Sequence, residues 1–494
     1  MPFFSRRDVL KGGAIVAGSF LLPASFKAFA VQNNTKGLTR YNVSSPEGKA
    51  MLKIYAQAVA KMMNTSLYPE GNPLNWEFQW YTHFVRGDRK KAGEIARIYP
   101  SNSAYKTLAQ QMWNTCHAHS PNQREDFFLP WHRIFITCFE NIIRHVSGEP
   151  QFTLPWWDYT DSNQQSIPEE FRRPNDPLWG ALYRSDRKET TNAGENIARV
   201  KGGLQLTLEC MRHNVYSGKA GFCSHIDQDP HGALHVDVGN NEGMGSVPWA
   251  ARDPVFWIHH ANIDRIWASW NRAGGKNPDD EAFTNAVFTF ATPQGSAVVA
   301  QVKDYLSIAP DAYSAWALRP QQALAFAQES QTMAQKPELV ATQSQITLGD
   351  KPVTLELKAE PGSVSLFSQR LQSGQNHSQQ VLLTFEGLSA HSVVNGGYNV
   401  YVYGNKPGVL SLDSPTFVGQ INFFGASGTH HHEEDQRNES ASVPPKAFSL
   451  ILSSKTLAML AAEKITQPKI SLVPTASGNE QAMPMISKIE LIIQ

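Results

Sequence analysis

The histidines of this chain fall in clusters, and clustered imidazoles hold metal ions. His231 and His235 stand four residues apart, so on a helix both rings leave the same face. His259 and His260 sit in the run Pro254–Trp270, whose apolar residues Val255, Ile258, Ile263, Ile266 and Trp267 follow a helical period. Two helices that present histidine inward can supply three nitrogen ligands to one ion. An earlier stretch carries Cys116-His117-Ala118-His119, then Asp126–Arg133 with His132, and His83 lies in the aromatic run Trp76–Arg86. Burying that many polar rings without a ligand would be costly. The inventory is His83, His117 or His119, His132, His231, His235, and His259 or His260. That gives three imidazoles to each of two ions.

The donor type narrows the metal. A di-iron carboxylate bundle needs paired Glu-x-x-His motifs, and none is present. A catalytic zinc site needs one ion and one triad. Two all-imidazole sites suit copper. A pair of redox ions of this kind points to dioxygen chemistry.

The elements that position these residues can be read from periodicity. Helices are expected over Ala50–Met63 and Ala104–Cys116, in the stretch after Pro130 that buries Ile134, Phe135, Cys138, Phe139, Ile142 and Ile143, and over Pro254–Trp270. Pro130 suits a position just before a helix start, with His132 in the first turn. Short helices are expected near Pro168–Arg172 and Leu204–Met211 in an otherwise loop-rich stretch. Gln321–Gln345 is rich in Ala and Gln and reads as linker or exposed helix. From about Pro352 the period becomes two. Strands are expected at Val353–Leu357, Gln380–Phe385, Tyr398–Tyr403, Phe417–Phe424, Ala447–Leu452 and Lys469–Val473.

The chain has 494 residues, enough for two or three domains and a large core. Lys+Arg 44 balance Asp+Glu 44, so neither a nucleic-acid partner nor an anionic membrane surface is indicated. Residues 1–30 read as an export segment. Ser5-Arg6-Arg7-Asp8-Val9-Leu10-Lys11 is a twin-arginine pattern, a short apolar run Ala14–Leu22 follows, and Ala28-Phe29-Ala30 is a cleavage site. The run is too short to span a bilayer, so the mature form is expected to lack a membrane anchor and to be periplasmic or secreted. Of the four cysteines, Cys116, Cys138, Cys210 and Cys223, the last two could pair in an oxidising compartment. An internal run, His430-His431-His432 before Glu433-Glu434-Asp435, could gather copper.

Four segments carry a resemblance: Asp126–Arg133 (DFFLPWHR), Leu154–Asp158 (LPWWD), Pro230–His235 (PHGALH) and Asp253–Trp267 (DPVFWIHHANIDRIW). Together they resemble the type 3 copper family of tyrosinases, catechol oxidases and haemocyanins. The resemblance implies a first copper on His83, His119 and His132 and a second on His231, His235 and His260, with dioxygen as co-substrate. His259 is then a neighbour, and Asp264 and Arg133 would fix the imidazoles. Some members join a cysteine to the second ligand, and Cys116 is close enough in sequence to be considered. The later strands are similar to the domain that follows the copper domain in plant polyphenol oxidases, where it can cover the site.

The implied fold is a mainly α copper domain, a four-helix bundle core holding the dinuclear site, followed by an all-β sandwich. The implied division is a signal peptide at 1–30, the copper domain at 31–310, a linker at 311–345 and the β domain at 346–494. The implied activity is oxidation of o-diphenols to o-quinones, with o-hydroxylation of monophenols as its wider form. Members strong in that hydroxylation carry Asn just after the first ligand of the second copper and a Glu that orders a water. Here Gly232 and Asp227 stand at those positions, and Val247 replaces a bulky gate residue and implies an open mouth. The partner is a small phenol, with a homo-oligomer allowed. An o-aminophenol oxidase is a narrower alternative. A haemocyanin-like carrier would keep the same histidines, but Val247 and bacterial-type export argue against it.

Overall fold

The computed structural model describes residues 37–116, 125–318, 338–360, 363–372, 380–427, 446–465 and 467–494. The export segment, His117, His119 and His430–His432 lie outside the described residues, as does most of the Gln321–Gln345 stretch.

The first half is helical. Helix α1 (Pro46–Met62) starts where Ser45 caps the Gly48 amide and proline takes the first turn. Next come α2 (Trp76–His83), capped by Asn75, α3 (Lys91–Ile98) and α4 (Ala104–Met112), capped by Ser103. The long α5 (Phe128–Ser147) is buried along most of its length and stops at Gly148, whose φ of 80° is in the left-handed region. It begins two residues before Pro130, not after it. A proline in the first turn removes an amide that had no helical partner, so the helix tolerates it. Then follow α6 (Glu189–Ala193), α7 (Phe222–Ile226), α8 (Ala233–Val238), α9 (Val247–Ala250), α10 (Val255–Arg272) and α11 (Glu281–Thr284).

Helix α5 packs against both α1 and α10. Phe139 of α5 lies flat on Trp257 of α10, centroids 3.5 Å apart. Buried charges stitch the same helices together. Arg40 pairs with Glu140 of α5 and Asp264 of α10, each at 2.8 Å, and Arg133 also pairs with Asp264. Arg187 grips Asp253, just before α10, at 2.7 Å.

A hairpin the period-two reading passed over, β1 (Val287–Ala291) with β2 (Ala297–Gln301), closes the helical half. The second half holds β3 (Glu338–Thr347), β4 (Val353–Glu356), β5 (Lys358–Ala359), β6 (Val381–Ser389), β7 (Gly397–Tyr403), β8 (Phe417–Asn422), β9 (Lys446–Ile451), β10 (Lys469–Pro474) and β11 (Met485–Ile493). They form a four-stranded sheet in the order β4-β10-β7-β8 and a five-stranded sheet in the order β5-β3-β11-β6-β9. All pairings are antiparallel. Leu383 and Phe385 of one sheet and Val400 and Ile470 of the other share one core.

Two expectations need correcting here. Strand β3 starts inside the stretch read as linker, and its own sequence, ELVATQSQIT, alternates only weakly. The region is also not all-β: helices α12 (Ser363–Gln372) and α13 (Ser454–Ala462) lie within it. Strand β6 is buried on both faces, because Leu382, Ile451 and Ile492 turn outward onto Ala220 of the helical half.

Candidate metal centre

The structure gathers two groups of donors. His83, Cys116 and His132 each offer an atom within 4.8 Å of the others, and so do His231, His235, His259 and His260. All seven side chains are buried. His83 ends α2, Cys116 follows α4, and His132 lies in the second turn of α5. The two groups touch: the His132 and His260 rings are parallel within 5°, centroids 4.1 Å apart.

The helix expected to carry His231 and His235 together is interrupted. Residues Asp227–Gly232 wind more widely, with Asp229 out of helical geometry and a cis bond between Asp229 and Pro230. The two rings still meet, centroids 4.6 Å apart.

Backbone carbonyls set the ring tautomers. His132 Nδ1–H donates to the Phe128 carbonyl and His235 Nδ1–H to that of Met244, both at 2.7 Å. A carbonyl only accepts, so the proton sits on Nδ1 and the Nε2 lone pair is left for another partner. Nε2 of His235, Nε2 of His259 and both ring nitrogens of His260 are buried without a hydrogen-bond partner among the described residues. Each orphaned buried group costs about 1–3 kcal/mol, a cost that ligation removes. The donor set therefore fits a pair of metal ions. Burial, helped by the neighbouring imidazoles, pushes the pKa of His83 down to about 3 and those of His132, His235, His259 and His260 well below the usual histidine value. At neutral pH these rings are in the uncharged, ligating form.

Aromatic rings enclose the donors. Phe256 lies 4.2 Å from His260 and 4.9 Å from His83; Phe128 lies 4.7 Å from His231 and 4.9 Å from His132.

The tyrosinase model, described as the common central domain of tyrosinase, matches residues 75–193 and 183–273. A tyrosinase from a Hahella species, HcTyr1, is 30% identical over 307 residues, 54% of this chain and 60% of that protein. A chloroplastic polyphenol oxidase of Malus domestica is 23% identical over 62% of this chain and 58% of its own length. Among solved structures, latent apple tyrosinase superposes with a TM-score of 0.57 at 18% identity, covering 92% of this chain and 97% of that one. A latent aurone synthase gives 0.60 at 17%, covering 92% and 89%.

The chain thus carries the common central domain of tyrosinase over residues 75–273. It spans about 60% of the length of the two curated relatives described. The solved structures extend the shared fold to the β region.

The tyrosinase-like half does not hold its imidazoles in the way the resemblance implied. Among the described residues, Asp264 and Arg133 bind no site histidine. They bind each other, and Arg133 also donates to the Tyr305 carbonyl at 2.9 Å while Tyr313 donates to Asp264 at 2.6 Å. Their work is to join α5 to α10, while the Phe128 and Met244 carbonyls hold His132 and His235. His259 has a different partner, with Nδ1 2.8 Å from the Tyr159 hydroxyl.

Asp227, Gly232 and Val247 all sit at the site, in settings the sequence did not reveal. The Asp227 carboxylate lies 2.9 Å from His231 Nδ1 and accepts from Lys446, the first residue of β9, at 3.0 Å. Burial opposes its charge, but Lys446 and His231 outweigh burial and hold its pKa below the usual carboxylate value. At Gly232 a Cβ would stand 2.7 Å from Asn422 Oδ1, so the β region leaves no room for a side chain. Val247 does not line an open mouth: it is fully buried.

Phe424, just after β8, lies parallel to the His235 ring at 4.1 Å and edge-on to His231 at 5.6 Å. It packs in the core of the helical half rather than that of the sheets. Asn422 anchors it: Asn422 Nδ2 donates to the Gln228 carbonyl (2.8 Å) and Gln228 Nε2 to the Asn422 carbonyl (2.9 Å). Nothing in FVGQINFF distinguishes Phe424 from a strand-end core residue. Cys210 and Cys223 are both buried and share no disulfide, so the pairing considered for an oxidising compartment is not formed.

Proposed function

We propose that this protein is a copper-dependent oxidase that converts o-diphenols to o-quinones with dioxygen. The observation that carries this is the ring-on-ring contact of His132 and His260, which joins two buried histidine groups into one dinuclear centre. We assign His83, His119 and His132 to the first copper and His231, His235 and His260 to the second, within a four-helix core. His260 is preferred to His259 because both of its nitrogens lack a hydrogen-bond partner among the described residues, whereas His259 is held by Tyr159. A pair of copper ions supplies the redox couple between a phenol and dioxygen.

The chain's own groups do the rest. The Phe128 and Met244 carbonyls aim two imidazoles, Asp227 and Lys446 steady the His231 segment, and Phe128 and Phe256 keep water away from the rings. Asp227 is engaged by Lys446 and His231, so it is poorly placed to order a water beside a monophenol. This supports a lean toward diphenols. Initial rates on tyrosine and L-dopa test the lean, and equal catalytic efficiencies would end it.

The same reading makes the β region a cover, since Phe424 occupies the face of the second group where a phenol ring would approach. Protease trimming is expected to raise activity; equal rates before and after trimming would remove that role. Among the described residues no helix is long and apolar enough to cross a membrane, and export by the twin-arginine route is part of the proposal. The central test is a catechol assay with elemental analysis on metal-loaded protein. Well under two coppers per chain, or oxidation unaffected by removing copper, would overturn the assignment.

A further inference from the structure

A separate pair of imidazoles lies at the seam between the helical and β regions. His213 follows the turn Glu209–Arg212 and His225 belongs to α7. Both are buried, and their ring centroids are 4.5 Å apart. His213 Nδ1–H donates to the Ala220 carbonyl at 2.9 Å, which puts the lone pair on Nε2. That Nε2 and Nδ1 of His225 are buried with no hydrogen-bond partner among the described residues. Burial lowers both pKa values, that of His225 to about 4, and both rings are neutral at pH 7.

Two neutral rings at this separation, each with an uncompensated nitrogen, are stabilised by an electron-poor partner. They repel an anion, although Arg212 lies beside them, since its charge is met by Glu209 at 2.6 Å. Both rings line a cavity of about 450 Å3 that Glu209 and Asp229 also line. There is thus room to complete a coordination sphere with water or a carboxylate.

We propose that His213 and His225 hold one transition ion of the Cu(I) or Zn(II) type, apart from the two main histidine groups. Imidazole nitrogen suits both ions, and neither needs a crowded sphere. The site shares no residue with the dinuclear assignment, so one can fail without the other.

The test uses the full chain carrying His132→Ala and His235→Ala, stripped of metal and titrated with Zn(II) against a weak chelator. Adding His225→Gln is expected to lower the retained zinc by one equivalent, with an unchanged far-UV spectrum. His213→Gln should do the same, and it replaces His225→Gln if that variant fails to fold. X-ray absorption should show a nitrogen shell near about 2.0 Å whose amplitude per chain both substitutions lower. Equal zinc with and without His225 and His213 would overturn the proposal and leave the cavity holding trapped water only. Loss of catechol oxidation in the parent chain would bear on the dinuclear reading alone.

Discussion

The helical and β regions solve burial in different ways. The helical region buries whole charges, with Arg40, Arg133, Glu140 and Asp264 in one network and Arg187 with Asp253 in another. The core between the sheets is apolar, and buried polar groups around it are mostly neutral, such as Thr384, Ser449 and Ser471. The difference follows from the task. Histidine donors arriving from separated helices must be held in register, and directional charge pairs fix helix against helix where apolar packing allows sliding. The sheets hold themselves in register through their ladders and bring one ring, Phe424, to the site. Charges reappear in the β region at the seam, where Lys219 joins Glu386 at 2.6 Å and Glu490 at 2.7 Å.

The most drastic way to break this contrast is to remove a donor. His132→Ala or His235→Ala should lower copper-dependent catechol oxidation by more than about 100-fold, beyond the usual loss from a supporting residue. No single substitution inside the sheet core should approach that, as initial rates would show.

Next comes the charge network. Asp264→Asn leaves Arg133 without a carboxylate and removes one of the two that Arg40 holds, and should cost about 3–5 kcal/mol of stability. Thr384→Val, which removes a 3.4 Å contact to the Glu490 carbonyl, should cost about 1 kcal/mol. Urea unfolding of both variants compares the regions directly, and equal losses would erase the distinction.

The cover gives a smaller effect of opposite sign. Phe424→Ala should raise catechol turnover of the intact chain by about tenfold, the gain expected if the closed form outweighs the open one by that factor. The same substitution should change nothing once the β region has been cut away.

The smallest effect is acid stability in the helical half. Burial works against the charge of Glu94, but hydrogen bonds from Arg97, Arg89 and Tyr81 outweigh it and hold its pKa at about 2. A depressed carboxylate contributes stability above its unfolded pKa, near 4.3, and loses it as pH falls through the folded value. The parent should therefore lose this contribution between about pH 4.3 and 2. Glu94→Gln should be less stable at pH 7 and show a flatter fall in that window in pH-dependent unfolding.

The residue types and spacings around His132, His231, His235 and His260 were enough to mark imidazoles that the fold gathers into two buried groups, and to foresee the long helices that carry His132 and His260. Local periodicity is written in the chain, and imidazoles at helical spacing have few other uses. The alternating runs marked six of the nine strands described in the β region for the same reason. Distance across the fold was not legible. Phe424, Asn422 and Lys446 look like ordinary strand residues, yet docking of the sheets sets a ring on His235, closes the space at Gly232 and ties Asp227 down. Asp264 and Arg133 look like partners for histidine and prove to be partners for each other. Which group a polar side chain meets depends on what packs against it from a segment far away in sequence, and only the tertiary structure decides that.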